Sequence, residues 1–299
     1  MDNYHTSVLL KEVIDYLQVG KGKKYIDATL GGGGHAKEII LNGGIVLGID
    51  VDQDALDFVK KNQELSIKNK ELILVKGNFV DLDEIAGLKN FSKVSGILFD
   101  LGVSSHQIDT AKRGFSFLKE GPLDMRMDKD SSLTAETLIN LLEKGELYEL
   151  FNKLGQESRS WFISNSIVRA RRIKAIQTTG ELARVVQKAY GIKERQATEF
   201  TKNLANKKVF QALRIAVNSE LLNLEKALPQ ALNLLDRKAR ILVISFHSLE
   251  DAIVKKTFKE FEKNNMGTII TKKPIEATKK EFEKNSRAKS AKLRVFEKN

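Results

Sequence analysis

The residues best equipped for chemistry lie in the first third of the chain. A run of glycines, Gly31-Gly32-Gly33-Gly34, precedes His35 and Ala36, and carboxylates stand at Asp27, Asp50 and Asp100. Glycines in such a loop let the backbone pass close to a ligand and adopt positive φ, and a helix opening after them favours negative charge at its N-terminus. Gly31-x-Gly33-x-x-Ala36 also fits the loose fingerprint of nicotinamide dinucleotide sites. The acids narrow the choice. Asp50 lies fourteen residues beyond Ala36, where a carboxylate can accept hydrogen bonds from two ribose hydroxyls. Asp27, ahead of the glycines, suits a ligand with an ammonium group, and Phe79, in Gly77-Asn78-Phe79, suits an adenine face. Together they fit an S-adenosylmethionine site better than a dinucleotide site.

These residues need a frame that brings them to one edge. YIDATL (25–30), IVLGID (45–50), LILVKG (72–77) and VSGILFD (94–100) are short apolar runs rich in β-branched residues. Helical patterns alternate with them at 6–17, with Thr6 or Ser7 as N-cap, and at 35–42, 53–64 and 81–90. Continuous apolar runs are what a parallel sheet requires when helices cover both faces. Every candidate residue then falls at or just after a strand's carboxyl end, the ligand edge of an open α/β sheet.

After Asp100 the alternation stops. Helical patterns occupy 134–142, 146–153, 157–174 and 179–190, and no strong strand appears between 109 and 208. A long helix at 209–235, with a kink expected at Pro229, leads to a strand at 239–246, a helix at 249–263 and weaker strands at 268–272 and 292–297. Residues 275–291 are polar and read as a basic arm or a loop ordered by its ligand. The expectation is a doubly wound α/β domain made of residues 1–108 and 209–299, interrupted by an inserted all-helical domain over 109–208.

Composition excludes much other chemistry. The 299 residues include no cysteine, so disulfides, cysteine-ligated metals and thiolate nucleophiles are ruled out. The four histidines show no metal-binding spacing, and no metal is expected. No apolar run is long enough for a membrane span, and the first ten residues do not read as a secretory signal, so a cytoplasmic protein is expected. The net charge of +11 is uneven: −3 over residues 1–108, +6 over 109–210 and +8 over 211–299. An excess confined to the later segments suits contact with phosphates. Arg169, Arg171, Arg172 and Lys174 form one basic group, and Arg287, Lys289, Lys292 and Arg294 another.

DATLGGGGH, GIDVDQDAL, DLGVSSHQID, RGFSF, GPLDMRM, FQALRIAVNSEL, ISFHSLED and NSRAKSAKLRV together resemble the bacterial 16S rRNA cytosine N4-methyltransferases of the MraW (RsmH) family, over essentially the whole chain. The resemblance implies a Rossmann-like class I S-adenosylmethionine methyltransferase domain with a helical insert. It implies cofactor contacts from Gly33, Gly34, His35, Asp50, Phe79, Asp100 and Gln107. It also implies the decoding-centre cytosine conventionally numbered 1402 as target, with 16S rRNA in the small ribosomal subunit as partner. The chain departs from the family at His106 and Ser286, where proline is usual, at Gly155-Gln156-Glu157, and at LANKKVFQ before the long helix.

The residues constrain the chemistry independently. Methylation at pyrimidine C5 normally needs a cysteine thiolate, which this chain lacks. An exocyclic amine needs no covalent intermediate, only alignment and a hydrogen-bond acceptor. Asp100, with Ser104 or Ser105, is the candidate acceptor group after the fourth strand. His247 reads either as a base or phosphate contact or as a core histidine. Asp124 and Arg126 read either as loop-ordering or as part of a base pocket. Rival readings are a nicotinamide oxidoreductase, against which Asp27 and Asp100 argue, and a non-catalytic assembly factor, against which the intact acids and glycines argue. A hydrolase lacks support, since GVSSH has no second glycine of a nucleophile elbow.

Overall fold

The computed structural model describes residues 7–191 and 199–299. They form two compact units, residues 7–104 with 221–299 and residues 105–220. The first unit opens with α1 (Leu10–Leu17), β1 (Lys24–Asp27), α2 (Gly34–Leu41), β2 (Ile45–Asp50), α3 (Gln53–Asn62), α4 (Glu64–Lys68), β3 (Leu72–Lys76), α5 (Leu82–Leu88) and β4 (Val94–Asp100). The second holds α6 (Ser105–Asp109), α7 (Ala135–Leu141), α8 (Lys144–Lys153), α9 (Ser160–Arg171), α10 (Thr179–Ala189) and α11 (Glu199–Asn218). The chain then returns through α12 (Glu220–Leu234), β5 (Leu235–Ser245), α13 (Ser248–Lys263), β6 (Gly267–Ile269), β7 (Ile275–Glu276), α14 (Lys279–Lys284) and β8 (Lys292–Lys298).

The sheet of the first unit runs β3-β2-β1-β4-β5-β8-β6, with β7 also paired to β8. Strands β1 to β5 are parallel, and β8 is antiparallel to β5, β6 and β7. The period of two along each strand divides its side chains between two cores. Ile26, Leu47, Phe99, Ile241 and Val243 pack on one face with residues of α5, α12 and α13. Tyr25, Val46, Leu98, Leu242 and Ile244 pack on the other with residues of α1, α2 and α3. Two buried faces explain why these strands read as unbroken apolar runs. From β1 the chain moves outward to β2 and β3, then returns to β4 on the other side of β1. That reversal opens a crevice at the carboxyl ends of β1 and β4.

The second unit has its own core, including Leu123, Ile139, Phe151, Ile163, Leu182 and Leu213. Among the described residues its regular elements are helices, with one isolated bridge between Pro122 and Thr178. Arg113 fixes the segment leading into it. Its guanidinium donates to the carbonyls of Arg126 and Met127 at 3.0 and 2.9 Å, and Asn218 accepts from Met127 N at 2.7 Å. Gly114, at φ +72°, lies against the Pro122 carbonyl, where a Cβ would approach to 2.2 Å, so only glycine fits.

Several boundaries differ from the sequence reading. The expected helix at 209–235 is two helices, broken at Ser219 with φ +50°, while Pro229 stays inside α12. The return to the sheet unit comes at residue 221 rather than 209, because Val209, Phe210, Leu213 and Val217 of α11 are buried in the helical core. Helix α1 starts at Leu10, after Leu9 in a left-handed conformation. Ser7 is therefore not its cap, and Thr6 lies outside the described residues. The polar stretch at 275–291 is folded into β7, α14 and a turn of 3-10 helix at Ser286–Ser290.

Arg294 leaves the basic group to which its sequence position assigned it. It lies in β8, only 8% exposed, and makes a bidentate pair with Asp251 of α13 at 2.6 and 3.0 Å. Removing one partner strands the other charge in a nearly dry site. Asp251→Ala or Arg294→Ala is expected to cost about 3 kcal/mol of stability, read from denaturant unfolding. A loss within a few tenths of a kcal/mol would show the pair to be solvated.

Candidate cofactor-binding site

Asp27 ends β1, Asp50 ends β2 and Asp100 ends β4, so three carboxylates meet the switch-point edge of one sheet. The connection leaving β1 is stitched to both neighbours. Ala28 N donates to the Leu98 carbonyl at 2.9 Å, and Leu30 N to the Ile49 carbonyl at 2.9 Å. Thr29 Oγ1 accepts from Asp100 N at 2.6 Å, which fixes where β4 ends relative to that loop. Asp50 holds the loop from the other side. Its Oδ2 accepts from Gly31 N at 2.7 Å and its Oδ1 from Asp52 N at 2.8 Å.

The glycines have separate jobs. Gly33 sits at φ +71° as the N-cap of α2, and a Cβ there would come within 2.6 Å of Gln63 Nε2 and 2.9 Å of Val59 Cγ2. Its carbonyl accepts from Gln63 Nε2 at 3.0 Å. At Gly34 a Cβ would fall 2.1 Å from Ser7 Oγ, so the segment before α1 crosses the loop there. Among the described residues Gly31, at φ +52°, has only the Thr29 carbonyl within 4 Å of its Cβ position, at 3.9 Å. Among the described residues the close-packed side of the loop is therefore Gly33-Gly34, and the open side is at Gly31.

His35 is buried in the first turn of α2. Its Nε2 lies 3.0 Å from the Val8 carbonyl, and a ring nitrogen facing a carbonyl carries the hydrogen. Nδ1 then faces Asp100, 3.6 Å from Oδ2. The ring thus links the segment before α1 to the acid that ends β4. Phe79 opens a short 3-10 turn after β3, capped by Asn78, and meets buried Phe99 of β4 edge-on at 5.7 Å between ring centroids.

Burial and mutual repulsion disturb two of the acids. Asp27 is pushed up to about 7, chiefly by burial, with the Thr29 amide opposing and the charges of Asp100 and Asp50 adding to the rise. Asp50 is pushed up to about 6 by burial, against the hydrogen bonds it accepts from Asp52 and Gly31. A cluster of carboxyls held out of water is a ready site for a positively charged ligand and a poor one for a pyrophosphate.

The structure brings Gly33, Gly34, His35, Asp50, Phe79 and Asp100 to this edge, with Ser104 four residues beyond Asp100 in the same unit. Ser105 opens α6 and Gln107 is buried within it, both in the second unit. Sequence reading missed three contributors. Thr29 stands inside the glycine motif and could have been suspected there. Gln63 and Val8 act on the loop from outside it, and no local pattern marks them. Two residues read in two ways from the sequence have structural partners. His247 is the N-cap of α13 in a capping box with Glu250, whose carboxylate accepts from Phe246 N and His247 N at 2.8 and 3.2 Å. Arg126 pairs with Asp124 at 2.7 Å and donates to the Lys129 and Ser131 carbonyls, which orders the GPLDMRM loop. Burial raises the Asp124 carboxyl, but the hydrogen bonds and charge of Arg126 outweigh it and hold the group below the usual range.

The family model of the MraW methylases matches residues 2–299. The chain belongs to the MraW methylase family. Two relatives, each called ribosomal RNA small subunit methyltransferase H, are both 43% identical to it. The one from Clostridium botulinum strain Loch Maree aligns over 100% of each chain, and the one from Halothermothrix orenii over 98% of each. Among solved structures, the Streptococcus mutans protein SMU.1697c in complex with S-adenosylhomocysteine aligns over 98% of this chain and 99% of its own, at 13% identity and a TM-score of 0.47. The sheet unit of this MraW-family chain has the strand order of a doubly wound Rossmann-like fold, and as a methylase it takes S-adenosylmethionine as cofactor. The residues at the edge fit that group. An open glycine loop before a helix, an acid after β2 and a buried acid after β1 suit a ligand that carries ribose hydroxyls and two cationic centres.

Because folding lifts Asp27 and Asp50 above the unfolded carboxyl value of 3.8, the native state holds protons that the unfolded chain has released. Unfolding between about pH 4 and 7 therefore sheds protons, and the free protein loses stability as pH rises through that window. Denaturant midpoints of the cofactor-free protein should fall from pH 5 to 7.5, and Asp27→Asn should flatten the trend. A rising trend would contradict the assignment of these shifts.

Proposed function

We propose that this chain is an S-adenosylmethionine-dependent methyltransferase that modifies N4 of a cytosine in 16S rRNA, position 1402 in the decoding centre, within the small ribosomal subunit. Membership of the MraW methylase family and relatives called ribosomal RNA small subunit methyltransferase H support the rRNA substrate. The observation that carries the reading is the convergence of Asp27, Asp50 and Asp100 at one switch point, which favours a cationic nucleoside ligand over a dinucleotide.

Bound S-adenosylmethionine supplies an electrophilic methyl group on a sulfonium. The rest falls to the protein. Asp27 offers negative charge to the ligand's ammonium end, Asp50 its carboxylate to the ribose hydroxyls, and Phe79 a face for the adenine. Gly33, Gly34 and His35 set the loop that shapes the pocket, and Gln107 completes the set carried over from the family. Cytosine N4 is a weak nucleophile because its lone pair is delocalised into the ring. An acceptor that draws on an N4 hydrogen favours the pyramidal nitrogen that can attack. Asp100 fills that role, with Ser104 and Ser105 orienting the base. Its amide is fixed by the Thr29 hydroxyl, and the His35 ring lies beside its carboxylate, 3.6 Å from Oδ2. The absence of cysteine closes the thiolate route to C5, and the resemblance to the N4-methyltransferases points to the exocyclic amine.

The test uses purified protein, labelled S-adenosylmethionine and small subunits from a strain lacking the modification, with free 16S rRNA in parallel. Digestion to nucleosides should yield N4-methylcytidine from the subunits. Another methylated base, or none while cofactor binds, would refute the substrate. Asp100→Asn should slow transfer by on the order of a hundredfold or more at saturating cofactor, read in single-turnover kinetics. Near-normal turnover would remove Asp100 from the chemistry. S-adenosylmethionine affinity itself should strengthen between pH 5.5 and 8 as Asp27, at about 7, and Asp50, at about 6, lose their protons. A flat calorimetric profile would separate these acids from the cofactor.

A further inference from the structure

Helix α9 reads SWFISNSIVRAR and contains no acidic residue. Ser160, Ile163, Ser164 and Ile167 are buried. At about 100° per residue this leaves Trp161, Phe162, Asn165, Arg169 and the following Arg172 on the opposite side. Trp161 is 50% exposed and Phe162 63%, and Arg169 and Arg172 are exposed as well. The face therefore carries two large aromatic rings in its first turn and two guanidiniums at its end, about 10 to 16 Å apart along the axis.

Trp161 is the one tryptophan of the chain, and it is held in place rather than left to swing. Tyr148 of α8 meets it edge-on, with centroids 6.1 Å apart and planes at 77°. The Lys144 ammonium sits 4.0 Å from its ring centroid. A ring already fixed on two sides loses little conformational freedom when a ligand stacks on what remains open. Exposing two such rings side by side costs solubility and gains nothing for the core. Rings followed by arginines on one helix face suit a single-stranded nucleic acid, whose bases stack and whose phosphates seek guanidiniums.

We propose that Trp161 and Phe162 form a base-stacking platform for an unpaired nucleotide of the RNA substrate, with Arg169 and Arg172 receiving the phosphates that lead away from it. The assignment rests on the reading of this chain as an RNA methyltransferase, and it names a contact surface that the family motifs do not contain. The other basic side chains nearby are engaged otherwise. Arg171 donates to the Ile139 carbonyl at 2.6 Å, Lys174 pairs with Glu181 at 2.7 Å, and Arg159 donates to the Tyr190 carbonyl at 3.0 Å.

A single tryptophan makes the test direct. The full-length protein is titrated with an unstructured oligocytidine at low salt while Trp161 emission is followed. Emission should be quenched along a saturable curve. Trp161→Ala should weaken binding about tenfold by fluorescence anisotropy of labelled RNA, and Trp161→Phe should restore most of it. Replacing Arg169 and Arg172 with glutamine should reduce the slope of log affinity against log salt by about 0.7 for each residue. Affinity for S-adenosylhomocysteine, measured by calorimetry, should be the same in every variant. Saturable RNA binding that leaves emission unchanged and is unaffected by Trp161→Ala overturns the proposal, as does failure of the wild-type protein to bind the oligonucleotide. Concentration-dependent quenching without RNA, matched by self-association that Trp161→Ala abolishes, would overturn it in favour of a second copy. Failure of the nucleoside assay alongside quenching by RNA would instead reject the cytosine N4 reading and leave the platform standing.

Discussion

Crowding three carboxylates against one another away from water is the constraint around which the sheet unit is built. Burial penalises the charges of Asp27 and Asp50, and the charges of Asp100 and Asp50 add their repulsion at Asp27. The surrounding structure offsets part of this with backbone amides: Thr29 N at Asp27, Gly31 N and Asp52 N at Asp50. The same bonds shape the loop. An amide that steadies Asp50 also fixes Gly31, and the hydroxyl that fixes the end of β4 belongs to the residue two beyond Asp27. Loop geometry and electrostatics are thus one arrangement, and a positively charged ligand completes it by supplying the charge that the protein withholds.

The glycine run shows how one motif serves several ends. Its first member leaves space open, whereas Gly33 and Gly34 make room for protein atoms from α3 and from the segment before α1. The N-terminal segment accordingly belongs to the site. Val8 anchors the His35 ring, Ser7 crosses Gly34, and the ring in turn faces Asp100. Val8 and Ser7 thus act on the glycine loop and the His35 ring from outside the motif.

Much of this frame was legible in the chain. Strands buried on both faces announce themselves as continuous apolar runs, so β1 to β5 were visible, and an acid at a strand end is visible once the strand is. What escaped notice depended on distance or on competing partners. Gln63 lies thirty residues from the carbonyl it caps, and no spacing rule links them. Arg294 looked like one more cation in a basic tail until Asp251, 43 residues earlier, proved to be its partner. The helix break at Ser219 was hidden because FQALRIAVNSEL is apolar at helical spacing on both sides of it, while Pro229, the conspicuous breaker, sits quietly in α12. His247 drew attention at a strand's carboxyl end, and the same position makes it a good cap: it precedes a helix, three residues before a glutamate.

The order of strands has a consequence for how the molecule is made. Strand β8 lies between β5 and β6 and is the partner of β7, so the far side of the sheet waits for residues 292–298. Strand β5 follows the whole helical unit, and until β8 arrives one of its edges offers unpaired amides and carbonyls to any neighbour. A ribosome synthesising this chain therefore releases first a half-sheet already carrying Asp27, Asp50 and Asp100, then an independent helical body, and last the strand that closes the edge. During that interval the nascent protein is most exposed to pairing with the wrong chain, and a chaperone has most to protect.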